Sequence, residues 1–311
     1  MLKAGRGQAE AMTRLPTPAD VASAAERIAP YVRRTPMLRV TVDGRPLWLK
    51  LEQLQLTGSF KLRGATNALL SGPRPERVAT VSGGNHGYAV GTAARLLDLP
   101  TRVHVPVFAA ESKVRMIKET GAEVVRHETY PDANQAARLE GGEPGGLYVS
   151  AYDDPAVIAG QGTVGLEIVA DAPEVDAIFV AVGGGGLAAG LALGAGRRII
   201  AVEPEGCHCL HAALAAGRPV HTEVDSVAMS ALGAAQAGEL THAILRDAGV
   251  ESHLVSDAEL LAARDRLWEE FRLAVEPAAA VPFALWLKDE VPTDAPCVVL
   301  CGANTDWTPE A

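Results

Sequence analysis

Short apolar runs alternate with longer stretches of helical periodicity along most of this chain. The runs are four to six residues long and consist largely of valine, isoleucine, leucine and alanine, as strands of a buried sheet do. Seven of them are predicted to be strands: residues 47–51, 78–81, 102–107, 147–150, 177–182, 199–203 and 297–301. Strands that alternate with helices are typical of parallel sheets. The pattern therefore predicts an α/β fold.

One predicted helix has a well-marked start. Ser256 is followed three residues later by Glu259, the spacing at which two side chains cap a helix N-terminus reciprocally. Beyond them, apolar side chains recur at helical spacing on one face: Leu260, Leu267, Trp268 and Phe271. Such a face packs against a core, so we interpret these residues as core and not as a ligand site.

Length and charge narrow the classes of function. The 311 residues, 48% of them hydrophobic, can bury the core of one large domain or of two ordinary ones. Acidic residues outnumber basic ones by 38 to 28, which disfavours nucleic acid and anionic membranes as partners because both attract positive surface. A small-molecule ligand is the expectation.

The N-terminal sequence lacks the apolar core of a secretory signal, and no run approaches about 18 apolar residues. A cytoplasmic location is therefore expected, with the four cysteines as reduced thiols. Residues 1–11 are polar and rich in glycine and alanine, which predicts a disordered extension. Segment 140–146, Glu-Gly-Gly-Glu-Pro-Gly-Gly, is the most linker-like part of the chain, and a surface turn is the alternative.

Three turns rich in small residues each follow directly on a predicted strand. They are residues 82–87 (Ser-Gly-Gly-Asn-His-Gly), residues 183–186 (four glycines) and residues 302–304 (Gly-Ala-Asn). In parallel α/β sheets, ligands bind at the carboxyl ends of strands. The three turns are therefore expected to line one crevice.

The four-glycine turn leads into a helix-forming run that begins Leu-Ala-Ala. Free N–H groups and the positive end of a helix dipole at such a junction can hold an anion, so phosphate binding is favoured over a tight turn without a ligand. Residues 183–188 also satisfy the dinucleotide pattern Gly-x-Gly-x-x-Ala, with Glu203 at the distance of a ribose-binding carboxylate. An NAD-binding oxidoreductase therefore stays open, although it would not need the other two turns.

Lys61 stands in Thr-Gly-Ser-Phe-Lys-Leu-Arg-Gly, where apolar neighbours favour the neutral amine that a Schiff-base lysine requires. A single lysine is more often a solvated surface group, so its surroundings alone do not assign it. In the turn at residues 82–87, the Ser82 hydroxyl and the Asn85 amide can hold a carboxylate or phenolate oxygen. Helix capping is the plainer alternative for Asn85 and His86.

Taken together, the chain resembles the fold-type II pyridoxal phosphate enzymes, specifically the threonine/serine dehydratases and the related serine racemases. The resemblance begins near Arg14 and is carried by seven ordered segments: residues 34–38, 51–65, 82–87, 154–168, 182–187, 202–205 and 301–304. It implies a tryptophan synthase β-like architecture of two open, parallel-type α/β domains with the cofactor in the crevice between them. The large domain would comprise residues 12–76 and 153–311, the small domain residues 77–152, and the enzyme would be a homodimer.

The resemblance also implies roles for individual residues. Lys61 would carry pyridoxal 5′-phosphate as a Schiff base, Phe60 would pack beside the ring, and Asn85 would bond its 3′-oxygen. The phosphate would be held by Gly183, Gly184, Gly185, Gly186 and Leu187. The substrate carboxylate would be held by the turn that contains Ser82, Gly83, Asn85 and His86. Cys301 would face the pyridine nitrogen, where the family usually has serine, and a neutral partner there makes the ring a milder electron sink.

Two departures from the family's pattern change the expectation. Gly83 stands where the racemases have a serine that handles the proton on the opposite face, so racemisation is disfavoured. Glu203 matches an acidic cation ligand of the racemase-like members, but Cys209 replaces its acidic partner. The spacing of Cys207 and Cys209 is also unlike that of zinc sites, so no metal is predicted.

The resemblance finally implies a reaction. Lys61 would remove the α-proton of a small β-hydroxy amino acid such as L-threonine or L-serine, and loss of water and ammonia would leave a 2-oxo acid. The alternatives that stay open are β-replacement or racemisation on the same fold and, from a different class, the NAD-binding oxidoreductase.

Overall fold

The strands form two separate sheets in the computed structural model, which describes residues 14–308. The first sheet has six strands in the order β1 (Met37–Val42), β2 (Arg45–Lys50), β10 (Pro296–Val299), β7 (Ala177–Ala181), β8 (Arg198–Pro204) and β9 (Glu251–Val255). The second has four, in the order β5 (Glu123–His127), β4 (Thr101–Pro106), β3 (Arg77–Val81) and β6 (Gly146–Tyr148). The predicted extension at residues 1–11 lies outside the described residues.

All seven predicted strands are present, with ends shifted by one or two residues, and they confirm an α/β fold. Neighbouring strands run parallel in both sheets except for β1 and β2, which pair antiparallel at one edge. Strands β1, β5 and β9 are not among the predicted ones. Each of the three lies at the edge of its sheet.

The described helices fill the connections between strands. They are α1 (Pro18–Ile28), α2 (Lys61–Leu70), α3 (Asn85–Leu96), α4 (Glu111–Glu119), α5 (Tyr130–Gly142), α6 (Pro155–Asp171), α7 (Gly186–Ala195), α8 (Cys209–Ala216), α9 (Met229–Leu232), α10 (Glu239–Asp247), α11 (Asp257–Phe271) and α12 (Pro277–Leu287). A 3₁₀ turn, Glu52–Leu54, precedes α2. Within residues 14–308 no helix is long and apolar enough to cross a membrane.

The predicted capping box at Ser256 and Glu259 is present at the start of α11. Leu260 and Leu267 are buried in the main core, and Phe271 packs against it. Trp268 departs from the prediction, because it is only partly buried and has the guanidinium of Arg272 5.5 Å from its ring centroid. A tryptophan at the margin of an amphipathic face can lie over a cation instead of entering the core.

The strands of the second sheet all come from residues 77–148, and those of the first from residues 37–50 and 177–299. The linker-like segment, residues 140–146, comprises the end of α5, a turn at residues 143–145 and the first residue of β6, all within the second sheet's part of the chain. This agrees with the surface-turn alternative. The division into domains at residues 76/77 and 152/153 stays a prediction.

A buried ion network fixes the start of α2. Arg63 donates to both carboxylate oxygens of Glu52 at 2.8 and 2.9 Å, and to both of Glu167 at 2.7 and 2.9 Å. Lys50 donates to Glu167 at 2.6 Å. Paired, charge-assisted bonds of this kind are geometrically specific. They tie the first turn of α2 to β2 and α6 and so set the position of Lys61, two residues before Arg63.

Candidate active site

Lys61 is the first residue of α2 and is half-buried. Its Nζ donates a hydrogen bond to the carbonyl oxygen of Ala151 at 2.7 Å and lies 5.1 Å from the ring centroid of Phe60. Burial lowers the pKa of the Lys61 amine to about 8, against a smaller opposing effect of the nearby Cys301 and Glu276. About a tenth of the amine is therefore neutral at pH 7, far more than for an ordinary lysine, and the neutral amine is the nucleophilic and basic form.

The four-glycine turn joins β7 to α7. Gly185 has φ of +96°, and the N-terminus of α7 has no side-chain cap, so the first N–H groups of that helix are available to a ligand. A Cβ atom on Gly184 would lie 2.3 Å from the ring of Tyr152, and the Thr241 hydroxyl donates to the Gly184 carbonyl oxygen at 2.8 Å. Glycine is thus required here by close packing, and the turn presents an uncapped helix start suited to an anion.

The turn at residues 82–87 joins β3 to α3. The Ser82 hydroxyl accepts a hydrogen bond from the Gly84 N–H at 3.1 Å, and α3 also has no side-chain cap. The His86 ring is buried, with Nε2 3.1 Å from the Val149 carbonyl oxygen. Burial lowers the pKa of His86 to about 3, so the ring is neutral and donates to Val149. If His86 contacts a substrate carboxylate, its backbone N–H and not its ring would therefore be the donor.

Glu276 is a site residue that the sequence analysis did not identify. Asn85 Nδ2 donates to its carboxylate oxygens at 2.8 and 3.1 Å, and Asn85 Oδ1 accepts from Asn304 Nδ2 at 3.0 Å. The Glu276 side chain is buried, which raises its pKa to about 7. The one available signal in the sequence was a Glu-Pro pair that opens the otherwise apolar helix α12.

Cys301 follows β10 and is buried. The Phe60 N–H donates to its carbonyl oxygen at 3.1 Å, which places the residue before Lys61 against the end of this strand. Burial, with a further contribution from Glu276, raises the pKa of the Cys301 thiol far above its usual value. The thiol is therefore neutral and can offer only a weak, uncharged hydrogen bond.

These contacts bring the three predicted turns together around Lys61. The turn after β3 meets the turn after β10 through Asn85 and Asn304, although the two strands belong to different sheets. The turn after β7 packs on Tyr152, the residue next to the Ala151 carbonyl that holds Lys61. The structure thus unites an amine, an anion cradle and a neutral thiol in one place.

The residues present fit a cofactor that carries both a phosphate and an aldehyde. The Ser59 hydroxyl, two residues before Lys61, is buried and has no hydrogen-bond partner among residues 14–308. The uncapped start of α7 suits the phosphate, and the partly neutral Lys61 amine suits the carbonyl carbon.

Glu203 is occupied by a structural contact. Its two carboxylate oxygens accept hydrogen bonds from the N–H groups of Leu210 at 2.9 Å and His211 at 2.7 Å, in the first turn of α8. Cys209 donates its thiol to the Gly183 carbonyl oxygen at 3.2 Å. Within residues 14–308, no cluster of three or more His, Cys, Asp or Glu side chains is arranged to hold a metal ion.

Comparisons with known proteins agree with this geometry. The profile of a family described as pyridoxal-phosphate dependent enzyme matches residues 28–302. The L-threo-3-hydroxyaspartate ammonia-lyase of Saccharomyces cerevisiae is 36% identical over 94% of this chain and 94% of its own length. Human serine racemase is 35% identical over 93% of this chain and 92% of its own. The crystal structure of a T.th. threonine deaminase superposes with a TM-score of 0.88 at 36% identity, covering 94% of this chain and all of that one.

Proposed function

The chain belongs to the pyridoxal-phosphate dependent enzymes, and from this premise we propose that it eliminates water and ammonia from a small β-hydroxy amino acid. The observation that carries the proposal is the half-buried Lys61 amine, its pKa lowered to about 8, beside an anion-binding turn and a neutral thiol. Relatives named as ammonia-lyases for 3-hydroxyaspartate and threonine support it. L-Serine and L-threonine are the proposed substrates, with 3-hydroxyaspartate as the third to be tried.

Each proposed role combines what the family resemblance implies with a contact or a property of this chain. Lys61 would bond the cofactor, the N–H groups of residues 183–187 would hold its phosphate, and Phe60 would flank its ring. Asn85, held in place by Glu276, would keep one amide hydrogen for the ring oxygen. When bound, the cofactor withdraws electrons from the substrate α-carbon. Cys301 would face the ring nitrogen without a charge, which favours rapid loss of the β-hydroxyl over a long-lived carbanion.

The chain's own groups would then handle the substrate and its protons. The N–H groups after Ser82, at the uncapped start of α3, would bind the substrate carboxylate. The neutral Lys61 amine would remove the proton from the α-carbon. The β-hydroxyl would take up a proton, which the resulting Lys61 ammonium can supply, and would leave as water. Hydrolysis of the released enamine returns one water, so serine would yield pyruvate and ammonia.

The proposal is tested by measuring 2-oxo acid and ammonia with purified holoenzyme. Serine, threonine and 3-hydroxyaspartate are each supplied alone, and both products are expected in equal amounts from at least one of them. Formation of 2-oxo acid only when a second nucleophilic substrate is added would indicate β-replacement instead. Reduction of NAD without release of a 2-oxo acid from these substrates would favour the NAD-binding oxidoreductase instead.

Racemisation is the second candidate, because serine racemases are among the relatives. Gly83 argues against it, since a Cβ atom there would lie 2.4 Å from the Ala109 Cβ and a serine does not fit without movement. We expect Gly83→Ser to lower elimination and to form no D-serine, and Gly83→Ser combined with Ala109→Gly to recover most of the elimination rate. Chiral chromatography of L-serine incubations checks both. Rapid D-serine formation by the parent enzyme would overturn the assignment.

Activity is expected to survive removal of divalent cations, because both oxygens of Glu203 already accept backbone N–H groups and its neighbour Cys209 is a soft thiol. Turnover measured before and after exhaustive chelation should agree within about twofold. A complete loss that magnesium alone restores would contradict this expectation.

Cofactor uptake should depend on pH through Lys61. Since burial lowers the pKa of this amine to about 8, its neutral fraction rises with pH up to about 8 and then levels off. The rate at which apoenzyme takes up the cofactor is therefore expected to rise up to about tenfold per pH unit below 8. A rise that continues toward the ordinary lysine value of 10.5 would show that the amine is not desolvated.

The cytoplasmic location and the homodimer stay predictions.

A further inference from the structure

A second cavity, of about 1090 Å³, lies away from the candidate active site. Its walls come from α1, the last turns of α2, the end of α5 with the following turn, β6 and the start of α6. None of Lys61, Asn85, Cys301 and residues 183–187 lines it. Known small-molecule sites have volumes of about 300–1,000 Å³, so the space is sufficient for an organic ligand. Segment 140–146, the glycine-rich turn noted in the sequence, forms part of the wall.

The cavity carries positive charge that has no ion-pair partner among the residues that the structure describes. Of its lining carboxylates, Asp20 pairs with Arg14, Glu143 pairs with Arg77, and Asp154 accepts the N–H groups of Ala156 and Val157. The remaining lining arginines are Arg27, Arg74 and Arg138, and within residues 14–308 none of the three forms an ion pair.

The known contacts of these three arginines are all uncharged. Arg27 bonds the Asn67 side chain, Arg74 donates to the Asp98 carbonyl oxygen, and Arg138 donates to Asn134 with its guanidinium 4.7 Å from the Tyr148 ring centroid. On a chain of net charge −10, a cavity with three such guanidinium groups is a local exception. Guanidinium forks match phosphate and carboxylate oxygens.

We propose that this cavity binds a small organic polyanion, with two or more phosphate or carboxylate groups, and that the bound anion regulates the enzyme. The three arginines belong to different parts of the chain: α1, the turn after α2, and α5. Each therefore offers a separate guanidinium fork, and a ligand with two or more anionic groups can engage more than one of them. The binding site stands on the cavity alone, whereas its regulatory effect also rests on the proposed function.

Two connections lead from the cavity to Lys61. Asn67, which binds Arg27 and lines the cavity, lies six residues after Lys61 on the same helix, a rise of about 9 Å. Asn67 also donates to the Ala156 carbonyl oxygen at 2.7 Å, which joins α2 to the start of α6. The second connection is the segment from Tyr148 to Asp154, because its ends line the cavity and its Ala151 carbonyl accepts the Lys61 hydrogen bond. A ligand that shifts either wall would move the amine or its acceptor.

The test is calorimetric titration of holoenzyme with pyrophosphate, citrate and inorganic phosphate, with glycerol as an uncharged probe. Three proteins are compared: the parent, the double variant Arg27→Gln/Arg138→Gln, and the control Arg218→Gln, which removes an exposed arginine outside the cavity. Pyrophosphate or citrate is expected to bind the parent and the control once per chain, and at least tenfold more weakly to the double variant. Arg138→Lys, which keeps the charge and loses the fork, should be intermediate.

Kinetics with the same anion give the regulatory readout. In the parent, KM or kcat should change at least twofold at saturating anion, without simple competition against the amino acid, and this response should be absent in the double variant. Anion binding that is unchanged in the folded double variant would show that these arginines do not hold the anion, and binding that only competes with substrate would place it in the active site. Either result would overturn the proposal. So would failure of all three anions to bind the parent. Arginine-dependent binding without turnover of any hydroxy amino acid would leave the site standing and refute the proposed function.

Discussion

Replacement of Lys61 with alanine is expected to lower the rate of 2-oxo acid formation by about 10²- to 10⁴-fold or more, the range that a positioned proton-transfer group supplies. Both roles proposed for this lysine, proton transfer and attachment of the cofactor, require its amine. Its amine is half-buried with a lowered pKa, and its only hydrogen bond among the described residues is to the Ala151 carbonyl oxygen. Alanine removes both the base and the atom that would bond the cofactor.

Lys61→Arg tests whether a positive charge at this position is sufficient, because arginine keeps the charge but stays protonated and cannot act as a base. It is expected to be as inactive as the alanine variant, whereas Lys118→Ala, on the exposed side of α4, should behave like the parent. Borohydride reduction followed by peptide mapping gives a readout independent of turnover, and the label should be found on Lys61. A label on Lys50 or Lys113, or substantial activity in either Lys61 variant, would refute the assignment.

Different substitutions of Cys301 are expected to have very different effects on the elimination rate. Cys301→Ser should keep most of the elimination activity, since serine offers the same small, neutral hydrogen-bonding group. Cys301→Asp should lower turnover at least about tenfold and also lower the melting temperature, because a second carboxylate would be buried near Glu276, whose pKa burial has already raised to about 7. A charge at this position would also hold the ring nitrogen protonated and let the carbanion persist.

A matched control is available in β10, the strand that Cys301 follows. Cys297 in β10 is likewise buried, but its nearest charge is Lys50 and not the groups around Lys61. Cys297→Ser should change stability alone, whereas Cys301→Ser should also shift the absorption band of the bound cofactor slightly. If Cys301→Ala, Cys301→Ser and Cys301→Asp all leave both the spectrum and turnover unchanged, Cys301 is only a small core residue and not part of the site.

The strands that the sequence analysis missed share one physical cause. Strands β1, β5 and β9 lie at sheet edges and are only partly buried, so each combines charged or polar residues with apolar ones. Strand β5 reads Glu-Val-Val-Arg-His, and β9 reads Glu-Ser-His-Leu-Val. Strands β7 and β8, inside the first sheet, are buried and contain continuous apolar runs. Burial therefore made such strands predictable, and exposure obscured these three edge strands. The edge strand β6 was still recognised, because Leu147 and Tyr148 are followed by the buried Val149.

The sequence by itself determined the parts of this protein that depend on local physics. Apolar runs predicted the central strands, the Ser256–Glu259 spacing predicted a helix start, and the glycines after β7 predicted a tight turn into a helix. Only the tertiary structure decided which distant groups meet. Asn85 and Glu276 are 191 residues apart and Arg27 and Asn67 are 40 apart, yet each pair is hydrogen-bonded. The pKa values of Lys61 and Glu276 are shifted by burial among residues that the fold brings together. The order of residues along the chain does not show which residues those are.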